Sequence, residues 1–240
     1  MSDAAKGITV EPNRYLLFAF ITFLIWPGFA LSDSSSIFRF PTRETPMLHE
    51  ALPEIMARDI EKLKYVGELL DNQDLRGENF ESFDLSSAVF DNSDLHSANF
   101  RYAKILSASF AGANCSGCDF SGALLQGVNF EEANMSEAIF VRADFQRVNM
   151  NSITLSGANF SFAKLANANL QSLNLSGLSF WGADLTAANL ENSNLTGADM
   201  TGADLTGANL SGAKLDFVKL RGAILCNTAL TDGSKIYTGC

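Results

Sequence analysis

Gly202-Ala203-Asp204-Leu205-Thr206-Gly207-Ala208-Asn209-Leu210-Ser211-Gly212-Ala213-Lys214-Leu215 repeats one five-residue sentence: a small residue, Asp, Asn or Lys, Leu, Ser or Thr, then Gly. Followed outward in both directions, the large apolar position of that sentence recurs at every fifth residue from Leu75 to Leu230. It does so thirty-two times, as seventeen Leu, ten Phe, three Met, Ile105 and Cys115. A fixed internal period marks a solenoid. Five matches neither the 3.6-residue period of a helix nor the two-residue period of a strand. Each unit therefore sends one large side chain inward and then turns the chain, as one side of a polygonal coil.

The flanking positions agree with that geometry. Two residues before most centres the chain is small, as at Ala88, Ala98, Ala103 and Ala123, so two inward side chains fit without overfilling, and Ile153, Leu173 and Leu178 replace Ala where the aromatic centres thin out. The position before the centre is often Asn or Asp, and Ser, Thr or Gly follow it. These residues form turns by bonding their own backbone or by accepting left-handed dihedrals.

With the residues Gly202–Leu215 and the tail LCNTALTDGSKIYTGC (Leu225–Cys240) in view, the chain resembles the pentapeptide-repeat family over about two-thirds of its length. The resemblance implies an all-β fold, a right-handed quadrilateral β-helix with four pentapeptides per coil and about eight coils over 71–230. Residues twenty apart would then stack. Phe80, Phe100, Phe120, Phe140, Phe160 and Phe180 form one internal ladder, while Phe90, Phe110 and Phe130 begin the opposite one, continued by Met150 and Leu170. The resemblance also implies a disulfide between Cys226 and Cys240, because similar endings carry a cysteine in the last coil and another near the terminus. Asp232-Gly233 supplies a turn for the tail 231–240 to fold back as a cap.

Upstream of the repeat the composition changes. Tyr15–Trp26 (YLLFAFITFLIW) is an uncharged apolar run preceded by Lys6 and Arg14 and followed by Pro27-Gly28 and Ala30-Leu31-Ser32. That order is that of a secretory signal peptide over 1–32; extended to Leu31, the run is also near the length of an uncleaved membrane anchor. Either assignment places the repeat domain in an exported compartment, the thylakoid lumen or periplasm. Residues 33–52, with their serines, Pro41 and Pro46, read as a linker. Ile55, Ile60, Leu63, Val66, Leu69 and Leu70 predict an amphipathic helix over 53–70 that caps the first coil.

No catalytic constellation is visible: there are two histidines, no nucleophile elbow and no phosphate-binding Gly loop. The expectation is a non-enzyme with neither cofactor nor metal. Cys115-Ser116-Gly117-Cys118 spells C-x-x-C, yet both cysteines fall on inward positions, where they act as small hydrophobes. The net charge of −10 disfavours nonspecific nucleic-acid binding. Large apolar residues at outward positions are exceptions to the repeat. Tyr102, Ile139, Val141, Phe162 and Trp181 share the side of the Phe80–Phe180 ladder with Arg101 and Arg142, and aromatics with Arg predict a protein-binding stripe. Two functional classes follow from the resemblance. One is an exported scaffold, an accessory or assembly factor whose partner is a protein, such as a membrane complex. The alternative is an acidic DNA mimic acting on a topoisomerase such as gyrase.

Overall fold

The computed structural model describes residues 65–150 and 152–240, all within one compact unit spanning Met47–Cys240. The expected signal or anchor segment, the linker and residues 53–64 of the expected helix lie outside the described residues. The five-residue register organises everything else. From Leu69 onward units pair in parallel with the unit twenty residues away, as in Asp74↔Asp94, Asn99↔Asp119 and Asn189↔Asn209, with breaks in the bridge series between Asn129 and Asn149 and between Thr154 and Asn174. Twenty residues with a turn every five make a four-sided β-helix.

The pentapeptide sentence explains why the chain turns where it does. Asn or Asp before each centre accepts a hydrogen bond from the N–H two residues on: Asn99 Oδ1 from Arg101 at 3.0 Å, Asp119 Oδ1 from Ser121 at 2.8 Å. The residue two after the centre adopts a left-handed dihedral, with φ +64° at Gly112 and +72° at Gly197. Each unit also bonds in both directions along the coil axis. Phe100 N–H donates to the Asp119 carbonyl at 2.7 Å, whereas Asn99 N–H donates to the Glu78 carbonyl at 2.9 Å. The backbone is thus satisfied by neighbouring coils, as buried peptide groups require.

Inside, the Phe ladder is continuous. Ring centroids of Phe80, Phe100, Phe120, Phe140, Phe160 and Phe180 follow one another at 5.0, 4.7, 5.3, 4.8 and 5.3 Å, all stacked. Phe90 and Phe110 stack at 4.7 Å on the opposite side and meet the first ladder edge to face, Phe90 against Phe100 at 5.8 Å. At Phe130 the second ladder changes direction. Phe145, from the side between, packs against both Phe130 and Phe140 where Met150 continues the column. The small inward positions also hold polar groups satisfied by backbone carbonyls: Ser93 Oγ donates to Leu70 O at 2.6 Å and Thr228 Oγ1 to Leu205 O at 2.7 Å, both in the preceding coil, and Ser193 Oγ to Leu190 O at 2.7 Å within its own.

Two ends depart from the sequence reading. Residues 65–70, assigned to the end of a helix, already form a coil. Gly67 N–H donates to the Ser86 carbonyl, Leu70 N–H to that of Val89, and Leu70 is buried as one more central residue. Leu69 points outward. The apolar spacing that suggested a helix is here partly the pentapeptide register itself. Tyr65 packs on Phe80 and Phe83 at 5.6 Å each, making an aromatic plug at this end. At the other end, β1 (Leu225–Ala229) pairs antiparallel with β2 (Lys235–Thr238), so the tail is a hairpin strand. Its turn is held by Leu230 N–H to Ser234 O at 2.7 Å and by Asp232 Oδ1, which accepts from Ser234 N–H at 2.9 Å. Cys226 and Cys240 are joined by a disulfide, with Cα atoms 5.0 Å apart.

Replacing Phe120 by Ala removes a ring stacked on both sides and leaves a cavity in a core that is fully buried there. The expected destabilisation is about 3–5 kcal/mol, measured by urea unfolding; an unchanged midpoint contradicts the ladder as a stabilising element.

Candidate protein-interaction surface

The outward positions differ from side to side although the interior repeats. On the side of the Phe80–Phe180 ladder, the residues after the centres form two columns running along the coils. One holds Arg101, Ser121, Val141, Ser161 and Trp181; the other holds Tyr102, Gly122, Arg142, Phe162 and Gly182. Phe162 and Trp181 are in contact, their ring centroids 4.8 Å apart and nearly perpendicular. The Arg142 guanidinium lies 5.4 Å from the Phe162 ring centre. Phe162 N–H donates to the Trp181 carbonyl, so backbone pairing fixes the two residues on adjacent coils. Trp181 is half exposed, Phe162 and Ile139 somewhat less, and Val141 is half-buried.

Tyr102 and Arg101 are a separate group on this side. The Arg101 guanidinium sits 5.5 Å from the Tyr102 ring centre and pairs with Asp119 at 3.2 Å. Ser121 and Gly122 stand between this group and Arg142. The structure therefore brings together Arg142, Phe162 and Trp181, with Ile139 and Val141 on neighbouring positions, and leaves Arg101–Tyr102 as an outlier.

Two glycines complete the arrangement. Tyr102 and Phe162 both hold left-handed dihedrals, φ +57° and +60°, and lean over the glycine one coil further on. A Cβ at Gly122 would lie 2.6 Å from the Tyr102 ring, and one at Gly182 would lie 2.7 Å from the Phe162 ring. Aromatic residues at this turned position are sterically costly, by about 1–3 kcal/mol. They persist here because the next coil offers each a seat.

The opposite side, carrying Leu70, Phe90 and Phe110 inward, is acidic. Glu68, Asp71, Asp91, Glu131, Glu132 and Glu191 project from it, and no Lys or Arg stands on it among the described residues. A shallow depression over Ala111 and Gly112 is rimmed by Asp91, Glu131 and Glu132. Elsewhere charges twenty apart pair along the coil axis, as Lys104 with Asp84 at 2.9 Å and Lys219 with Asp199 at 3.2 Å. The Thr201 hydroxyl and N–H, joined by Lys219, hold the Asp199 carboxyl below the usual range.

Cys115 and Cys118 are buried thiols. Cys118 Sγ donates to the Leu95 carbonyl at 3.0 Å, and burial pushes the Cys115 thiol well up. Such a thiol is a poor nucleophile. Among the described residues, no group of acidic, His and Cys side chains has the arrangement of a metal site, and no helix is long and apolar enough to cross a membrane.

Comparison with known proteins agrees with this architecture. The pentapeptide-repeat family matches in eight copies, over residues 70–101, 79–114, 113–151, 154–192 and 188–227, and the chain belongs to that family. Among solved structures it is similar to HetL, a pentapeptide-repeat protein involved in heterocyst differentiation regulation in the cyanobacterium Nostoc sp. strain PCC 7120. That similarity is 27% identity over 70% of this chain and 81% of HetL, with a TM-score of 0.45. A pentapeptide-repeat protein of the Arabidopsis thaliana thylakoid lumen is 30% identical over 42% of this chain and 71% of its own, with a TM-score of 0.27. QnrB1, a plasmid-mediated fluoroquinolone resistance protein, is 22% identical over 68% of this chain and 85% of its own, with a TM-score of 0.47. The search of curated proteins gives no match. The family match indicates no enzyme family.

The cysteine arrangement yields a direct expectation. Nonreducing mass mapping should recover Cys226 and Cys240 in joined peptides, with Cys115 and Cys118 alkylated only after denaturation. Free Cys240 in protein purified under oxidising conditions contradicts the bridge.

Proposed function

We propose that the protein is a non-catalytic, exported protein-interaction rod that serves as a scaffold or accessory factor for a protein partner, with a membrane complex as the favoured class. The observation that carries this reading is the contact cluster of Arg142, Phe162 and Trp181 on an otherwise small and polar repeat surface. Exposed aromatic and Arg side chains with immobilised geometry lose little freedom on binding, which is why such residues dominate interface energetics. Ile139 and Val141 extend the apolar area toward Arg101 and Tyr102. Export is supported by the Tyr15–Trp26 run with its flanking Arg14 and Ala30-Leu31-Ser32. It is also supported by the Cys226–Cys240 disulfide, since such bonds persist in oxidising compartments.

A second reading has its own observation. The side bearing Asp71, Asp91, Glu131, Glu132 and Glu191 presents carboxylates in columns, with no Lys or Arg on that side among the described residues, the pattern an acidic DNA mimic would offer to a topoisomerase. An exported protein does not meet gyrase, so location separates the two readings. Inhibition of purified gyrase by the protein, abolished by Glu131→Lys with Glu132→Lys, would favour the mimic.

The docking reading is tested by pull-down of the native partner with the Trp181→Ala and Phe162→Ala double variant. Both side chains project outward, so folding should be retained by circular dichroism. Binding should weaken by about 2 kcal/mol or more per hot-spot residue, and undiminished recovery would reject the stripe.

Export is tested by N-terminal sequencing of the mature protein, which should begin near Asp33. An intact Met1 in membranes selects the anchor over the cleaved signal; an intact Met1 in the soluble cytosol overturns export.

A further inference from the structure

Between two neighbouring coils the backbone ladder is interrupted on one side. Below the interruption that side pairs in the usual way, Met135 N–H donating to the Thr154 carbonyl at 2.8 Å and Glu137 N–H to that of Ser156 at 2.7 Å. Above it, Leu175 donates to Asn194 at 2.8 Å and Gly177 to Thr196 at 2.9 Å. Between the coil of Leu155 and the coil of Leu175 the equivalent bonds are missing among the described residues. The N–H groups of Ser152, Leu155 and Gly157 have no bond to the carbonyls of Gln171, Asn174 and Ser176. Those of Asn174 and Ser179 have none back to Ile153 and Ala158. A cleft of about 550 Å³ opens here, lined by Ser152, Ile153, Gln171, Ser172, Leu173 and Asn174.

The sequence accounts for the opening. The small inward positions along this side are Ala113 and Ala133 below the cleft and Ser193 and Ala213 above it, whereas Ile153 and Leu173 stand at the cleft itself. Two branched side chains in succession crowd one strand spacing of about 4.8 Å, and overfilling a packed interior shifts the backbone. Ile153 and Leu173 are 9% and 7% exposed, where Ala113 and Ala133 are at 0%. The outer column of amides breaks at the same level. Asn134 donates to Asn114 and Asn194 to Asn174, each at 3.1 Å, and Thr154, without an amide, interrupts the column between them.

Elsewhere these two coils are held together. Phe160 N–H donates to Ser179 at 2.8 Å, Leu165 to Asp184 at 2.7 Å and Met150 to Asn169 at 3.1 Å, and the Phe160 and Phe180 rings stack at 5.3 Å. Phe162 and Trp181 belong to the same pair of coils and touch across them on the closed side next to the cleft. We propose that the cleft is the open half of a joint that regulates this surface: the coils tilt about their Phe160–Phe180 side, and the tilt sets the angle between Phe162 and Trp181. The proposal rests on the reading of that surface as the docking site of a protein partner. Closing the joint exchanges hydrated N–H and C=O groups for direct coil-to-coil bonds, whereas opening relieves the crowding of Ile153 against Leu173. The two effects oppose each other, so a partner that grips Phe162 and Trp181 in one relative orientation shifts the joint toward the arrangement it prefers.

Hydrogen exchange read by NMR on the full chain tests the joint without a partner. The amides of Leu155, Gly157, Asn174 and Ser179 should exchange about tenfold or more faster than those of Met135, Glu137, Leu175 and Gly177. Ile153→Ala with Leu173→Ala removes the crowding, and exchange at the cleft amides should slow toward that of the neighbours. The tryptophans of the chain are Trp26 and Trp181, so with Trp26→Phe the emission of Trp181 reports on the docking surface, and it should shift in the double variant. Equal protection of both sets of amides in the unaltered chain overturns the proposal, as does a closed cleft with unchanged Trp181 emission. Where the double variant loses protection at Met135 and Leu175 its fold is impaired, and Leu173→Ala alone takes its place. Undiminished partner recovery with Trp181→Ala and Phe162→Ala rejects the docking surface but leaves the exchange pattern and emission shift intact, so the two failures are distinct.

Discussion

The structure depends on one reciprocal hydrogen-bond rule: within each five-residue unit, one N–H reaches back to the preceding coil and two reach forward to the next. Both directions must be served at once, so the turn between units has little freedom, and the residue two after each centre is driven into the left-handed region. The pentapeptide sentence follows from this. Asn or Asp before the centre braces the turn, the large centre fills the interior, and glycine or a tolerant polar residue accepts the dihedral. Stability is then close to a sum over adjacent coils, which is why an aromatic stack with 4.7–5.3 Å spacings can run from Phe80 to Phe180 without long-range topology.

That rule leaves the outward positions unconstrained, and the protein uses them unevenly. The column before each centre must place polar groups one strand spacing apart. Where it does so it uses neutral Asn pairs, such as Asn134 to Asn114 at 3.1 Å, or Asp below Lys, as at Asp84 and Lys104, although Asp74 stacks under Asp94 and Asp184 under Asp204. Exposed ion pairs of this kind contribute roughly 0–1 kcal/mol each. On the acidic side no Lys or Arg stands among the described residues, and repulsion among Glu131, Glu132 and Asp91 is tolerated. On the other side, Trp181 occupies a position that Thr201 and Arg221 fill in the following coils, and Arg142 and Phe162 occupy one that Gly202 and Gly222 fill. Core packing requires neither departure.

The five-residue register, together with the four units per coil that the family likeness implied, placed Phe80 through Phe180 in one stack and put the aromatic–arginine residues on a common side, because both follow from counting in twenties. Contacts that depend on lean or volume were not legible. Phe145 bridges two ladders because Met150 is slimmer than a ring, a matter of filling rather than period. Arg142 reaches Phe162 while Tyr102 stands apart because side chains at the turned position lean toward the following coil, a direction no spacing encodes. The start of the solenoid was misplaced for a related reason. Val66, Leu69 and Leu70 satisfy a helical stripe and a pentapeptide unit equally well, and only the backbone pairing to Ser86 and Val89 distinguishes them. The disulfide was implied by a family likeness in the tail; the antiparallel strand that carries Cys240 to it was not.

The ends reveal how such a rod controls its own edges. At Tyr65 the first coils are closed by aromatic packing, which costs no special chain geometry. At the far end, a short strand held by a few backbone bonds would fray, and the Cys226–Cys240 bridge restrains it. In the chain-entropy model a loop of this size contributes about 3 kcal/mol. The bridge acts on one side of the square, because both sulfurs lie on the hairpin, and its influence does not extend to Leu215 or Leu220. Among the described residues the hairpin covers the Leu225 and Leu230 sides of the last coil, and Phe217 on the neighbouring side is exposed.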